Sequence, residues 1–289
     1  LAHLREILPD AGPLRGARLV VDCANGATHE VAPTLFTSLG FDVDLLGCAP
    51  DGRNINLECG STHPDGMARR VREIGAAAGV AFDGDGDRAI LADEQGSIVD
   101  GDAVMLMCAR QLKREGRLRG DTVVATVMSN IGLELALRES GIGLRRTQVG
   151  DKYVMEEMLK QGFSLGGEQS GHVIFSDYLF TGDGLATALN VLRVMISTGR
   201  PLSSLAGELV SFPQVLLNVR VRERQPLDRV AAIRDVLADV ERRLGGQGRL
   251  LVRYSGTEPL LRIMLEGRDR DEIGRWAREI GEVVQRELA

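Results

Sequence analysis

Residues 16–47, GARLVVDCANGATHEVAPTLFTSLGFDVDLLG, run from an apolar stretch through an Asn-Gly pair and a helix-length segment to a second apolar stretch. LVV is short and continuously apolar, as in a strand covered on both faces. Asn25-Gly26 is a turn signal. A helix is expected from near Thr28 to a C-cap at Gly40. This strand–helix–strand order selects the α/β class and excludes an all-helical or all-strand core. A second helix is expected over Gly66 to Ala78, followed by strand GVAF and the short strands AILAD and SIV.

A comparable unit starts near Asp100. Helices are expected over Ala103 to Glu115, over IGLELALRESG to Gly141, over DKYVMEEMLKQG to Gly162, and over Gly184 to Ser197, with DTVVATV as a strand. GRPLSSLAGE breaks the pattern and reads as a connection. The last part differs. QVLLNVRV and LLRIMLEG read as strands. Leu227, Val230, Leu237, Val240 and Leu244 recur at helical spacing, as do Ile273, Trp276, Ile280, Val283 and Val284, so two helices each carry one apolar face. The expected architecture is two tandem three-layer α/β/α domains with mixed sheets, 1–98 and 99–207, plus a small α+β domain, 208–289.

At 289 residues the chain exceeds one average domain. No apolar stretch reaches the ~20 residues of a membrane span. The formal net charge of −6, with no basic run, argues against nucleic acid and anionic membranes as partners. Cys23, Cys48, Cys59 and Cys108 form no CxxC pair, which suits a reducing cytoplasm. Cys59 and His63 sit four apart but lack a second ligand pair for zinc. The opening LAHLREILPD has neither a signal-peptide core nor an initiator Met, as expected of a processed chain or a fragment.

The sharpest chemical feature is DGDGDR, residues 83–88. Like charges ~4 Å apart repel by roughly 1 kcal/mol in water and by more when partly buried. The loop follows a buried-type strand, where α/β proteins place binding groups, so a solvated acidic turn is disfavoured. An EF-hand would use Asp83, Asp85, Asp87 and Glu94, but it needs Gly where Arg88 stands and helices where strands are expected. A hydrolase with an aspartate nucleophile would need a downstream Lys and an acidic pair that have no clear candidates. A magnesium site fits hard oxygen ligands, with Gly84 and Gly86 free to adopt positive φ and turn the carboxylates together.

Two further loops bear on this. SLGGEQSGHVIF sets Glu168, Ser170 and His172 among glycines, a set suited to sugar hydroxyls; a polar turn is the plain alternative. LLVRYSGTEPLLRIMLEG carries Arg253, Ser255, Gly256, Thr257 and Arg262, a set able to hold a phosphate; a β-turn with surface arginines is its plain alternative.

Taken together, DGDGDR, GEQSGH and RYSGTEP, in that order, resemble the α-D-phosphohexomutase superfamily. VDCANGATHEVAPTLF, PDGRNIN with CGSTHPD, VGDKYVMEEM and GTEPLLRIMLEG are similar to its phosphoglucosamine mutase subfamily. The resemblance covers nearly the whole chain and implies domains two to four of a four-domain enzyme. The first domain, with its phosphorylated serine, would lie outside these residues. Ser61 in CGSTHPD superficially resembles the serine loop, but its segment matches the second domain and it is not assigned. Tyr254, where the family often has Pro, and Lys152, where the subfamily often has Arg, are departures.

By resemblance, the intact enzyme interconverts glucosamine 6-phosphate and glucosamine 1-phosphate through phosphoserine and a bisphosphate intermediate. Asp83, Asp85 and Asp87 would hold Mg2+, and Arg88 would lie beside the transferring group. Glu168 and Ser170 would grip the sugar, with Lys152 touching substrate and His172 helping proton transfer. Arg253, Ser255, Gly256, Thr257 and Arg262 would hold the phosphate that is not reacting. The partners implied are the hexosamine phosphate, the bisphosphate and the missing domain, and the resemblance admits a homodimer. The alternatives are a phosphomannomutase or phosphoglucomutase of the same superfamily, or a non-catalytic sugar-phosphate module.

Overall fold

Apolar runs bounded by turn residues become sheet strands in the computed structural model, which describes residues 2–256 and 258–288. Packing divides the chain into two units, 1–129 with 133–210 and 130–132 with 211–289.

The first unit opens with α1 (Ala2–Ile7) and then builds a sheet from β1 (Arg18–Asp22), β2 (Asp42–Leu46), β3 (Ala78–Phe82), β4 (Ala89–Asp93) and β5 (Ile98–Val99). Helices α2 (Val31–Leu39) and α3 (Asp65–Ile74) are the crossovers. The strand order is β2-β1-β3-β4-β5; β1 is parallel to β2 and β3, and β4 is antiparallel to β3. Helix α4 (Gly101–Arg114) leads to a second sheet of β6 (Thr122–Thr126), β7 (Gly143–Thr147), β8 (Leu165–Gly167) and β9 (Val173–Phe175), crossed by α5 (Ile131–Glu139) and α6 (Asp151–Gln161). Its order, β7-β6-β8-β9, with β9 antiparallel, repeats the topology of the first. Helix α7 (Gly184–Thr198) follows.

One apolar cluster runs through both sheets of this unit, from Ile7 through Val21, Phe82 and Leu106 to Val123 and Leu189. Helix α4 buries eleven of its fourteen residues, Asp102 and Gln111 among them, so it lies largely in the interior. Helix α7 touches both β4 and β9. The segments expected as separate first and second domains therefore share a core.

Local chemistry explains most helix ends. Gly40 and Gly162 stop α2 and α6 in the left-handed conformation. Three expectations shift in this unit. Helix α2 begins at Val31 rather than Thr28. Helix α3 ends at Ile74, because Gly75 (φ 60°) caps it and Ala78 already belongs to β3. GRPLSSLAGE is not bare connection: Pro201 precedes a short helix, α8 (Leu202–Ala206), that buries Leu202 and Leu205.

The second unit is an antiparallel sheet, β10 (Gln214–Arg220), β11 (Arg249–Tyr254) and β12 (Leu260–Glu266), in the order β10-β12-β11. Helices α9 (Ala231–Leu244) and α10 (Arg270–Leu288) pack through Ile233, Val240, Ile273, Ile280 and Val284 onto Val219, Leu261 and Ile263. Trp276 is half-buried, with the Arg243 guanidinium 5.6 Å from its ring centroid. Leu227 and Val230 lie before α9 in a 3-10 turn and its cap rather than inside the helix. The strand β11 was not legible ahead of the phosphate-type turn. Among the described residues no helix is long and apolar enough to cross a membrane.

Candidate functional site

The six residues 83–88 close the β3–β4 hairpin, since Phe82 pairs with Ala89. Asp83, Asp85 and Asp87 each offer a carboxylate oxygen, and these oxygens all lie within 4.8 Å of one another. They are the only group of three or more such ligands among the described residues. The Asp83 carboxylate accepts from the N–H groups of Gly86 (3.2 Å) and Arg88 (3.1 Å), which curls the loop. Only Gly86 has positive φ, 80°. Gly84 is needed for a different reason: a Cβ there would lie 2.7 Å from Asn56 Nδ2 and 2.8 Å from Ile55 Cδ1.

The electrostatics of the turn are unbalanced. Burial first, and then the neighbouring Asp87 carboxylate, push the Asp83 carboxyl above its ordinary value. Asp87 Oδ1 is buried without a hydrogen-bond partner. Arg88 Nε stands 3.8 Å from Asp83 and 3.9 Å from Asp87, too long for a hydrogen bond. Three carboxylates with one guanidinium leave a deficit of positive charge, and an orphaned carboxylate oxygen facing it. That donor set fits a hard divalent cation such as Mg2+.

The loop is supported from below. Asp22, buried and 2% exposed, accepts from the N–H groups of Ala24 (2.9 Å) and Gly60 (2.8 Å). This fixes a turn with Ala24 and Asn25 at positive φ, and the next residues reach the hairpin: Ala27 N–H donates to Gly84 O at 2.8 Å. Gly26 admits this contact because a Cβ would meet Gly84 O at 2.3 Å. Ser61 belongs to the same support, its N–H donating to Phe82 O at 2.8 Å. Asp22 was missed in the sequence; its position one residue past an apolar strand run was the available signal.

The β8–β9 hairpin meets this turn directly. Ala89 N–H donates to Gly171 O at 3.1 Å, and Arg88 and His172 form a β-bridge. His172, 3% exposed, places Nδ1 2.9 Å from Asp87 Oδ2, while Gly182 N–H donates to Nε2 at 3.1 Å. Since Nε2 accepts, Nδ1 carries the proton, which assigns the neutral tautomer donating to Asp87. Both nitrogens are engaged inside the protein. The geometry thus supports orientation of Asp87 by His172. Gly182 and Gly184 were overlooked. A Cβ on Gly182 would lie 2.4 Å from the His172 ring, and one on Gly184 2.5 Å from Arg88 O.

Glu168 Oε1 accepts from Gly150 N–H at 3.1 Å, and Oε2 from the Ser170 hydroxyl at 3.4 Å. Glu168 and Ser170 are thereby brought together at the turn. Lys152 stays exposed near the start of α6, with Nζ 3.7 Å from Glu156, and shares only the neighbourhood of Gly150 with Glu168.

In the second unit, Arg253 and Arg262 are register partners across β11 and β12. Directly opposed like charges destabilise a sheet. Arg262 is partly offset by Glu258 (3.1 Å) and touches the buried Ser255 hydroxyl at 3.4 Å. Its Nε is buried without a hydrogen-bond partner. Arg253 has no ion-pair partner among the described residues. Gly256 is exposed with open space beside it, and Thr257 lies outside the described residues.

Three family models match consecutive stretches of the chain: phosphoglucomutase/phosphomannomutase alpha/beta/alpha domain II over 2–96, alpha/beta/alpha domain III over 100–212 and the C-terminal domain over 216–283. The chain belongs to the phosphoglucomutase/phosphomannomutase family. Its similarity to the phosphoglucosamine mutase of Desulfovibrio desulfuricans is 51% identity over 288 residues, covering all of this chain and 64% of that protein. The phosphoglucosamine mutase of Syntrophotalea carbinolica is also 51% identical, with 63% of its length covered. The chain thus spans slightly under two thirds of these relatives. Among solved structures, a family protein of Burkholderia thailandensis superposes with a TM-score of 0.77 at 24% identity, covering 99% of this chain and 64% of that one. The Aspergillus fumigatus N-acetylphosphoglucosamine mutase in complex with GlcNAc-6P and magnesium has a TM-score of 0.73 at 21% identity, covering 98% of this chain and 68% of that one. These two structures share the family fold with this chain.

Proposed function

We propose that this chain supplies the metal, sugar and phosphate grips of a phosphosugar mutase that interconverts glucosamine 6-phosphate and glucosamine 1-phosphate. The observation that carries the reading is the Asp83, Asp85 and Asp87 cluster, with its buried and unpartnered Asp87 Oδ1. Relatives at 51% identity that are phosphoglucosamine mutases support the substrate class.

The donor of the phosphoryl group is a phosphoserine outside these residues. Its phosphoryl group passes to the free hydroxyl oxygen of the sugar, which loses its proton as the serine oxygen is released. The bisphosphate reorients, and its other phosphoryl group returns to serine. Mg2+ held by Asp83, Asp85 and Asp87 would offset charge on the phosphoryl oxygens. Arg88 adds a guanidinium beside those carboxylates, and His172 keeps Asp87 in its orientation. Glu168 accepts from sugar hydroxyls, Ser170 adds a further hydrogen bond, and Lys152 approaches the substrate from the start of α6. In the second unit, Arg253, Ser255, Gly256, Thr257 and Arg262 hold a phosphate. The stretches 1–98, 99–207 and 208–289 act as the metal, sugar and phosphate segments.

Two measurements test this. In the intact enzyme, Asp85→Asn lowers phosphoryl transfer at least ~100-fold with the fold intact; an unaltered rate refutes the metal role. The purified 289-residue chain shows no mutase turnover; measurable turnover would place the nucleophile within it, with Ser61 the first residue to test.

A further inference from the structure

Strand β10 is an outer strand of its sheet: the order is β10-β12-β11, and among the described residues only β12 pairs with it. The register from Gln214–Glu266 to Arg220–Leu260 is unbroken, so the backbone faces the two sides in alternation, as in any antiparallel ladder. Gly267 N–H donates to Pro213 O at 3.2 Å and Val221 N–H to Pro259 O at 3.0 Å, which turns the odd-numbered positions toward β12. The N–H and C=O groups of Leu216, Asn218 and Arg220 therefore point away from the sheet. The next outward N–H, that of Arg222, donates to Leu288 O at 2.8 Å, where the end of α10 closes the edge. Sheets usually guard such an edge with proline, charge or a very short strand. QVLLNVR is seven residues long, carries its one charge at the end and leaves Leu216 55% exposed.

Helix α10 runs beside this edge and leaves a groove. One part, about 440 Å3, lies between Val215 and the first turns of the helix at Arg270, Gly274 and Arg275. The other, about 500 Å3, lies between residues 217–222 and Gly281, Glu282 and Gln285. Arg278 lines both parts. Gly281 lets strand and helix approach, since a Cβ there would lie 2.6 Å from Leu217 Cδ2. Five arginines border the groove: Arg220, Arg222, Arg270, Arg275 and Arg278. All are exposed, and none has an ion-pair partner among the described residues. Two acids, Asp271 and Glu282, share the lining, so positive charge is in excess. Residues 211–289 hold fifteen arginines against thirteen acids, although the whole chain has a net charge of −6.

We infer that β10 is a docking edge for an extended acidic segment of a partner protein, which adds to the sheet as a further strand. Its backbone pairs with Leu216, Asn218 and Arg220, its alternate acidic side chains meet Arg275 and Arg278 across the groove, and the side chains between them lie beside Leu216. A second copy of this chain using the same edge would bring two sets of arginines together, and opposed like charges disfavour such a pairing. The test titrates the 289-residue chain into a labelled, end-capped peptide of alternating Glu and Val, read by fluorescence anisotropy. This peptide binds saturably, and the same peptide with Lys in place of Glu binds at least ~10-fold more weakly. Asn218→Pro removes an outward N–H that the ladder with β12 does not use, at an edge position where sheets accept proline; it weakens binding at least ~10-fold with the circular dichroism unchanged. Arg278→Glu weakens binding ~10-fold, and Glu282→Gln tightens it ~2-fold. In the wild type, bound peptide slows hydrogen exchange at the Leu216 and Asn218 amides, a readout that stands even if Asn218→Pro fails to fold; unprotected amides overturn the proposal. Equal binding of the Glu and Lys peptides overturns the charge selection. If Asn218→Pro folds and binds the Glu peptide as wild type does, the arginines form an anion patch without strand pairing, and the proposal fails. If the free chain sediments as a dimer that Asn218→Pro dissociates, the edge belongs to a second copy, and the proposal fails as well.

Discussion

The β3–β4 and β8–β9 turns occupy the same place in two sheets of the same strand order, yet their charges are handled in opposite ways. In the second turn Glu168 has a donor on each oxygen, Gly150 N–H and the Ser170 hydroxyl. In the first, Asp87 Oδ1 has none, and burial pushes the Asp83 carboxyl up. A satisfied carboxylate can exchange weak hydrogen bonds with hydroxyls. An unsatisfied cluster suits a cation. On the proposed reading one scaffold position serves two ligand classes, and the choice lies in how many acids share the turn and how many donors reach them.

The comparison can be broken most severely at the point where the second turn leans on α4. A Cβ at Gly101 would lie 2.0 Å from Glu168 O, so Gly101→Ala should cost about 3 kcal/mol. Urea unfolding would show this as a lowered midpoint; an unchanged midpoint means that the turn is not held there. Next comes the join between the turns. His172→Ala strands Asp87 Oδ2 and Gly182 N–H, and should cost ~2–3 kcal/mol. If a double-mutant cycle of His172→Ala with Asp87→Asn gives no coupling energy, the two turns are independent.

The ligand difference itself is read with Mn2+ as probe. Asp87→Asn should weaken Mn2+ binding ~100-fold, while Glu168→Gln leaves it within about twofold. Equal losses in both would erase the distinction. The smallest effect calibrates an ordinary paired carboxylate. Hydrogen bonds from Arg70 (2.9 and 2.7 Å) hold the Asp44 carboxyl below its usual 3.8. A depressed pKa contributes stability above 3.8 that is lost as pH falls through the folded value. Asp44→Asn should therefore lower the melting temperature at neutral pH, and the gap to wild type should close in acid. A gap that persists in acid would assign the effect to packing rather than to charge.

Much of the fold could be read locally. Gly40 and Gly162 act as the C-caps their positions suggested. The apolar stripe of α10 puts Ile273, Ile280 and Val284 in the core. The errors have local causes too. Gly75 stops α3 before Ala78, and a five-residue helix hid behind Pro201. The site was legible as a set of residue types but not as a set of bonds. That three acids come together in one hairpin follows from their spacing. That His172 reaches Asp87 from 85 residues away does not.

Short-range physics is written in the chain itself. Periodicity of apolar residues, glycine at left-handed positions and the acid content of one turn depend on neighbours within a few residues. They alone determined the α/β class, the strand β3 that leads into the acidic loop and the chemical character of each loop. Tertiary structure decided how those charges are balanced: which His172 nitrogen bears the proton, why Asp87 Oδ1 is left bare, which arginines oppose one another across β11 and β12, and that Arg224 gathers the carbonyls of a turn thirty-one residues away. Hydrogen bonds are directional and short, and only packing brings distant partners within their reach.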